Sequence, residues 1–177
     1  MTIPGTPIVA GYDAAAWALA NNFCQRILPE TEHAEIFDGD GGVWTRLKNY
    51  PISEIDSVKI YDDSELIETY DEDDFTWNAR GFVQFKKSAA GTWMAHFPEG
   101  FQNVTVTYTA GYAAAAVPAD LQEAVTQIAA WLERQRTNGA EIASERLGDW
   151  AASYARSAGA LPDGIKLLLR PYRRIST

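Results

Sequence analysis

The residues of this 177-residue chain that could do chemistry are few and scattered. Asp38-Gly-Asp-Gly-Gly42 offers two carboxylates close together, the donor type a hard cation such as calcium takes up. No bidentate Glu follows to complete a twelve-residue loop, and Asp-Gly is equally a hairpin turn. Asp71-Glu-Asp-Asp74 could in principle hold two divalent ions for phosphodiester hydrolysis. Neighbouring carboxylates in one short loop seldom converge on an ion, however, and no partner motif accompanies them. His33 and His96 lack ligand spacing and read as strand-end histidines. Ser57, Ser153 and Ser157 stand in no nucleophile elbow, and Gly39, Gly41 and Gly42 precede a strand rather than a helix, so they make no phosphate loop. Cys24 is the single cysteine and has no base nearby in sequence; it reads as a buried apolar residue. The expectation is a protein without catalysis, metal or cofactor.

The elements that would carry these residues change period along the chain. Asp13 to Leu28 predicts a helix, with Asp13 as N-cap, Trp17, Ala20, Cys24 and Ile27 on one stripe, and Pro29 ending it. From Glu32 to Thr109 the period is two. A hairpin is expected from Ala34–Phe37 through the Asp38–Gly42 turn into Val43–Leu47, and Pro51 breaks the run that follows. Glu54 to Tyr61 alternates, with Ile55, Ser57, Lys59 and Tyr61 on one face and Asp56, Val58 and Ile60 on the other. Asp62-Asp63-Ser64 turns it into Leu66–Tyr70. Further short strands are expected at Phe75–Trp77, Gly81–Phe85, Thr92–Phe97 and Val104–Thr109. Short strands between Asp, Gly and Asn turns predict an antiparallel sheet or small sandwich. Val117-Pro118 opens a long helix with the stripe Leu121, Val125, Ile128 and Leu132, widened by Ala124, Ala129 and Trp131 and closed near Gly139. Ser144 to Tyr154 fits either a helix or a turn at Gly148-Asp149 into an extended segment. Asp163 can cap a last helix, Gly164 to Arg170, stopped by Pro171.

The net charge of −9 conceals an asymmetry. Residues 1–150 hold 10 Lys and Arg against 23 Asp and Glu, a balance of −13; residues 151–177 hold five against Asp163 alone, a balance of +4. The body should repel nucleic acid, whereas the tail suits an acidic partner. With 46% hydrophobic residues and 21 aromatic rings (six Trp, eight Tyr, seven Phe) the chain can build a core without disulfide or metal. The first residues lack the features of a secretion signal and no apolar run reaches membrane-spanning length, so a cytosolic origin is expected.

Taken in order, these pieces resemble the head-tail connector, or adaptor, proteins of tailed bacteriophages. The resemblance runs from the opening helix with Trp17 and Phe23 through the Asp38–Leu47 hairpin and Tyr50-Pro-Ile-Ser-Glu-Ile-Asp-Ser-Val58. It continues in Val104-Thr-Val-Thr-Tyr-Thr-Ala-Gly-Tyr112, Val117-Pro-Ala-Asp-Leu121, Arg146-Leu-Gly-Asp149 and Leu167-Leu-Leu-Arg-Pro-Tyr172. It implies an α+β fold in one domain: a small helical bundle from residues 12–29 and 117–175 with a central antiparallel β insertion at 32–110. It also implies a virion structural protein, made in the host cytoplasm, with no enzymatic activity or cofactor. Such a protein forms a twelve-fold ring under the portal protein, joins a tail-side stopper or tail-completion protein, and lets DNA pass without binding it.

Two sets of residues become candidates on that basis. Acidic side chains at Asp62, Asp63, Asp71, Asp73 and Asp74, with Glu65 and Glu68 nearby, could line a channel that must not hold phosphates. The resemblance also places portal docking in the C-terminal segment. In Ile165–Ile175, Ile165, Leu168 and Leu169 share a helical face, leaving Leu167 and Tyr172 as further apolar surface beside Arg170, Arg173 and Arg174. Those leucines could equally cap the chain's own bundle, or turn inward while Tyr172, Arg173 and Arg174 reach out. The alternative from another class is a ligand- or carbohydrate-binding β module using Trp44, Trp77 and Trp93; a third is another tail-completion protein.

Overall fold

A computed structural model of the chain describes residues 12–137, 144–147, 150–153 and 161–174. It forms two compact units, Met1–Arg26 with Ala115–Thr177, and Ile27–Ala114. The fold class is α+β, with helices at both ends of the chain and a central antiparallel β region.

In the helical unit, the carbonyl of Pro118 accepts the first helical hydrogen bond from the Gln122 N–H at 3.0 Å, and α2 follows over Ala119–Thr137. Its stripe buries Leu121, Val125 and Ile128, with Ala124 and Ala129 beside them, and leaves Leu132 half-buried. Helix α1 (Asp13–Cys24) packs on α2 and buries Ala16, Ala20 and Cys24, a repeat of four that lets two helices approach closely. The expected apolar stripe of α1 therefore needs correction. Trp17 is half-buried, and Ile27 lies beyond the helix, 40% exposed. The cause is Gln25, whose left-handed φ of 57° ends the helix well before Pro29. Asp13 is not the cap either: Tyr12 takes that place, and Asp13 sits in the first turn. The short strands β8 (Ser144–Leu147) and β9 (Trp150–Ser153) pair antiparallel, which decides for the extended reading of this stretch; Gly139 and Tyr154 lie outside the described residues. Helix α3 (Asp163–Leu169) packs on both α1 and α2.

The β unit holds two antiparallel sheets. One has the order β1-β7-β3-β4, from β1 (Thr31–Gly39), β3 (Ile52–Asp62), β4 (Glu65–Tyr70) and β7 (Gly100–Ala110). The other has the order β2-β6-β5, from β2 (Trp44–Arg46), β5 (Phe75–Trp77) and β6 (Phe82–Phe85). One core joins them, with Ile55, Val58, Val104, Val106 and Tyr108 from the first and Phe75, Val83 and Phe85 from the second. Phe97 fills its middle, with its ring 4.8 Å from that of Phe85.

Several strand expectations change. The Asp38–Leu47 segment is no hairpin, because β1 pairs with β7 and β2 with β6, in different sheets. Residues 92–97 form no strand beyond a single bridge between Trp93 and Lys87. In β3 the alternation fails at Ile55, which is buried with Val58 and Ile60. The register slips between Ile52 and Glu54 and again between Ile55 and Ser57; each extra residue reverses which face the chain presents. The β3–β4 turn is as expected, with Asp63 and Ser64 at positive φ of 43° and 72°, the backbone a two-residue hairpin requires. At Ala110-Gly111-Tyr112 the glycine is obligatory: φ is +113° and an added Cβ would stand 2.5 Å from the Pro29 carbonyl oxygen.

Candidate functional site

The C-terminal segment is tied to its own unit by its backbone and by one buried face. Ile165, Leu169 and Tyr172 fall at i, i+4 and i+7 and are all buried, because a 3₁₀ turn over Arg170–Tyr172 carries the helical face onward past Pro171. Asp163 does not cap α3; it pairs with Lys166 at 2.9 Å. The Tyr172 hydroxyl donates to the Asp120 carboxylate at the start of α2. Its carbonyl accepts from Arg26 Nε at 2.7 Å, and Arg26 is itself buried. The Arg174 N–H donates to the Cys24 carbonyl at 2.8 Å, and the Arg173 guanidinium lies 5.9 Å over the Phe23 ring. Tyr172 thus turns inward rather than out. What the segment presents to solvent is Leu167, 68% exposed, together with Arg170 and Arg173; Leu168 is half-buried.

The candidate acidic residues all lie in the β unit. Asp62 and Asp63 are exposed at the β3–β4 turn. In Asp71–Asp74 the carboxylates serve the backbone: Asp71 Oδ1 accepts from the Asp73 N–H at 3.0 Å, and Asp74 Oδ2 from the Asp71 N–H at 3.4 Å. Asp73 is left exposed. The Asp38 and Asp40 carboxylates are likewise spent on backbone, Asp38 accepting across to β7 from the Gln102 N–H at 2.7 Å and Asp40 within its turn from the Gly42 N–H at 2.9 Å. Among the described residues, no three His, Cys, Asp or Glu side chains are grouped to hold a metal ion, and no helix is long and apolar enough to cross a membrane.

A buried polar network escaped the sequence reading. On β1, Glu35 points inward between His33 and Phe37 while Ile36 faces out, because Glu35 stands opposite Val106 and Phe37 opposite Val104. Glu35 Oε2 accepts from the Tyr108 hydroxyl and from the Lys48 N–H, each at 3.0 Å, and Lys48 Nζ lies 3.2 Å from Oε1. A buried carboxylate needs such partners, since an unpaired charge there would be severely penalised. Burial first, and the Glu35 charge second, push the Tyr108 hydroxyl well above its usual pKa. Burial lowers that of His33, whose ring lies 5.3 Å from that of Tyr108. The Glu35 carboxylate, the Tyr108 hydroxyl and Lys48 are satisfied against one another and the backbone, so the network locks the Lys48–Asn49 loop onto the sheet. The available signal was Tyr108 standing on the apolar phase of β7.

Of the three tryptophans considered for a ligand platform, Trp77 packs on the core and Trp93 lies under Lys87 at 4.7 Å; Trp44 alone is open, 52% exposed, with its ring 5.5 Å from that of Phe82. Among the described residues, the β unit also carries an open groove of ≈ 1190 Å³ lined by Ile36, Ile67, Phe101 and the Asp62–Asp63 turn.

No protein-family model matches the chain, and no curated protein does. Solved structures do match. A chain in the neck of an empty gene transfer agent particle, reconstructed with C6 symmetry, is 20% identical with a TM-score of 0.61 over 94% of this chain and 77% of that one. A chain in the neck of the native particle, reconstructed with C12 symmetry, is 19% identical with a TM-score of 0.60 over 100% of this chain and 94% of that one. A chain in the native gene transfer agent virion is likewise 19% identical, with a TM-score of 0.61 over 94% of this chain and 76% of that one. This chain shares their fold along nearly its whole length.

Proposed function

We propose that this protein is a virion structural component, a head-tail connector in the neck of a phage-like particle. The observation that carries the reading is the whole-chain likeness to neck proteins, with both helical ends and the β region in one order. On this reading the protein forms a ring, of twelve copies as the C12 symmetry of the similar neck suggests. The ring lies under a portal protein, meets a tail-side stopper or completion protein, and encloses the path of the DNA. The acidic turns at Asp62, Asp63, Asp71, Asp73 and Asp74 line that path, where repulsion of phosphates keeps the genome sliding. The outward residues of the C-terminal segment, Leu167, Arg170 and Arg173 with Leu168, Tyr172 and Arg174 supporting them, dock on the portal.

Co-expression with the cognate portal protein, followed by affinity purification and cryo-microscopy of the particle, tests this. The expected result is a stoichiometric portal complex and a ring at the neck. A protein absent from purified particles that also fails to join the portal would sink the reading.

A further inference from the structure

One member of the buried network around Glu35 can change its hydrogen-bonding role near neutral pH. His33 stands opposite Tyr108 in the β1–β7 ladder, and its Nδ1 lies 3.4 Å from Asn49 Nδ2. The neighbours of Asn49 fix which way round its amide sits. Its Oδ1 accepts from the Ile27 N–H at 2.9 Å, so its nitrogen must face the ring. The Tyr108 hydroxyl donates its proton to Glu35 and accepts from Asn49 Nδ2 at 3.4 Å. Both amide hydrogens are thereby assigned, one toward Tyr108 and one toward His33. His33 Nδ1 must then be the lone-pair nitrogen, and the proton of the neutral ring sits on the buried Nε2.

Protonating Nδ1 sets two N–H donors against each other across 3.4 Å. Asn49 cannot answer by flipping its amide, because that would turn its nitrogen onto the Ile27 N–H. The contact itself must give way, and Asn49 joins several segments. Its side chain holds Ile27, the first residue of the β unit, and its own N–H donates to the Tyr108 hydroxyl at 3.3 Å. The titratable and charged groups that face the ring are Glu35 on β1, Tyr108 on β7 and Lys48 beside Asn49, with Lys48 paired to Glu35. The Ala110 carbonyl and the Glu35 charge favour the charged ring, but burial outweighs them and the fold prefers the neutral form.

We propose that His33 and Asn49 form an acid-sensitive latch: neutral His33 holds Asn49, and through it Ile27, on the sheet, and protonated His33 releases both. A folded pKa below the ordinary 6.5 gives stability that is full above pH 6.5 and is lost as pH falls through the folded value. The bonds of Glu35 to Tyr108 and Lys48 do not involve the ring, so the release is local and the core stays folded. The latch is independent of the connector reading and stands or falls without it.

The test is NMR on the full-length chain between about pH 8 and pH 5, where histidine is the side chain that ordinarily titrates. The His33 ring should titrate below the histidines of the same protein unfolded in urea. Hydrogen exchange, corrected for its intrinsic pH dependence, should show the Ile27 and Asn49 amides losing protection in acid, by as much as about tenfold per pH unit between the unfolded and folded pKa values. Amides in the middle of β7 should keep theirs. His33→Gln gives Asn49 an acceptor oxygen that does not titrate in this range and should keep the protection while removing its pH dependence. Asn49→Asp keeps one oxygen for Ile27 and offers the other to a protonated ring, so it should raise the His33 pKa and make protection grow in acid. If either variant fails to fold, the other is read with the wild-type titration. A His33 ring that titrates as in the unfolded chain would overturn the latch, as would amide protection indifferent to its titration or a pH dependence that survives His33→Gln. Loss of protection across the whole sheet would mean global acid unfolding and would equally remove the latch.

Discussion

Tyr172 shows how one side chain decides what the C-terminal segment can do. Its hydroxyl reaches Asp120 and its ring is buried, so it holds the segment to the helical unit instead of offering itself to a partner. Tyr172→Phe should lower the unfolding free energy by about 1 kcal/mol in urea titration, the usual net value of one hydrogen bond. Leu167→Ser with Arg170→Glu, at positions facing solvent, should leave stability within about 0.5 kcal/mol of wild type yet weaken portal binding in the same co-purification. Normal portal binding by that variant would remove the docking role. Cys24 is equally informative. Burial raises its thiol pKa from 9.0 to about 11, so the folded state favours the neutral form. The stability this gives is fully present below pH 9.0 and is lost as pH rises toward about 11. Cys24→Ala should flatten that alkaline loss in denaturation curves taken between about pH 8 and 11, and a thiol reagent should react with native protein far more slowly than with unfolded protein.

Among the elements, α2 was the most legible and β3 the least. A stripe at helical spacing maps directly onto a buried face, so Leu121, Val125 and Ile128 lie where the sequence pattern puts them. Ile128→Ala should cost about 2–5 kcal/mol, because a fully buried isoleucine leaves a cavity; a smaller loss would mean the stripe is not a tight contact. In β3, by contrast, two register slips place Ile52, Ile55 and Val58 together at intervals of three, a pattern that matches no strand template. Bulges are fixed by the neighbouring strand, and the neighbour against which β3 slips is β7, about fifty residues away in the chain. A longer separation still hid the partner of β1, which is also β7. The Asp38–Gly42 turn looks like a hairpin, but the chain passes there from one sheet to the other. Gly111→Ala would test the junction after β7. Its φ of +113°, and the Pro29 carbonyl oxygen only 2.5 Å from where the alanine methyl would sit, predict a loss larger than about 1 kcal/mol in thermal melts.

At the scale of the molecule, charge carries the sharpest expectation. The −13 balance over residues 1–150 and the exposed acidic turns should keep the protein off duplex DNA. Fluorescence titration at physiological salt should find no binding tighter than about micromolar, the range where nonspecific contacts begin. Sub-micromolar affinity would contradict a neck that lets a genome slide. Ten of the fifteen Lys and Arg fall in residues 43–50, 75–97 and 151–177, five in the β2-β6-β5 region and five in the C-terminal segment.

Local patterns settled several elements: a helix with an apolar stripe after Pro118, a tight β3–β4 turn, and a cysteine with no base near it in sequence. These depend on residues close in sequence, where the period of a helix or the φ of a turn leaves its mark directly on composition. Which strands pair, and so which side chains face the core, depends on contacts across many residues. Glu35 is inside and Ile36 outside because β7 sets the register of β1, against what their polarities suggest. Tyr172 is inside because α1 and α2 offer it Arg26 and Asp120. The acids of β3 and β4 and the Arg46 of β2 fall on separate sheets only because β2, β5 and β6 leave the sheet of β3 and β4 to form their own, since charge on a chain has no direction until the backbone gives it a side to face.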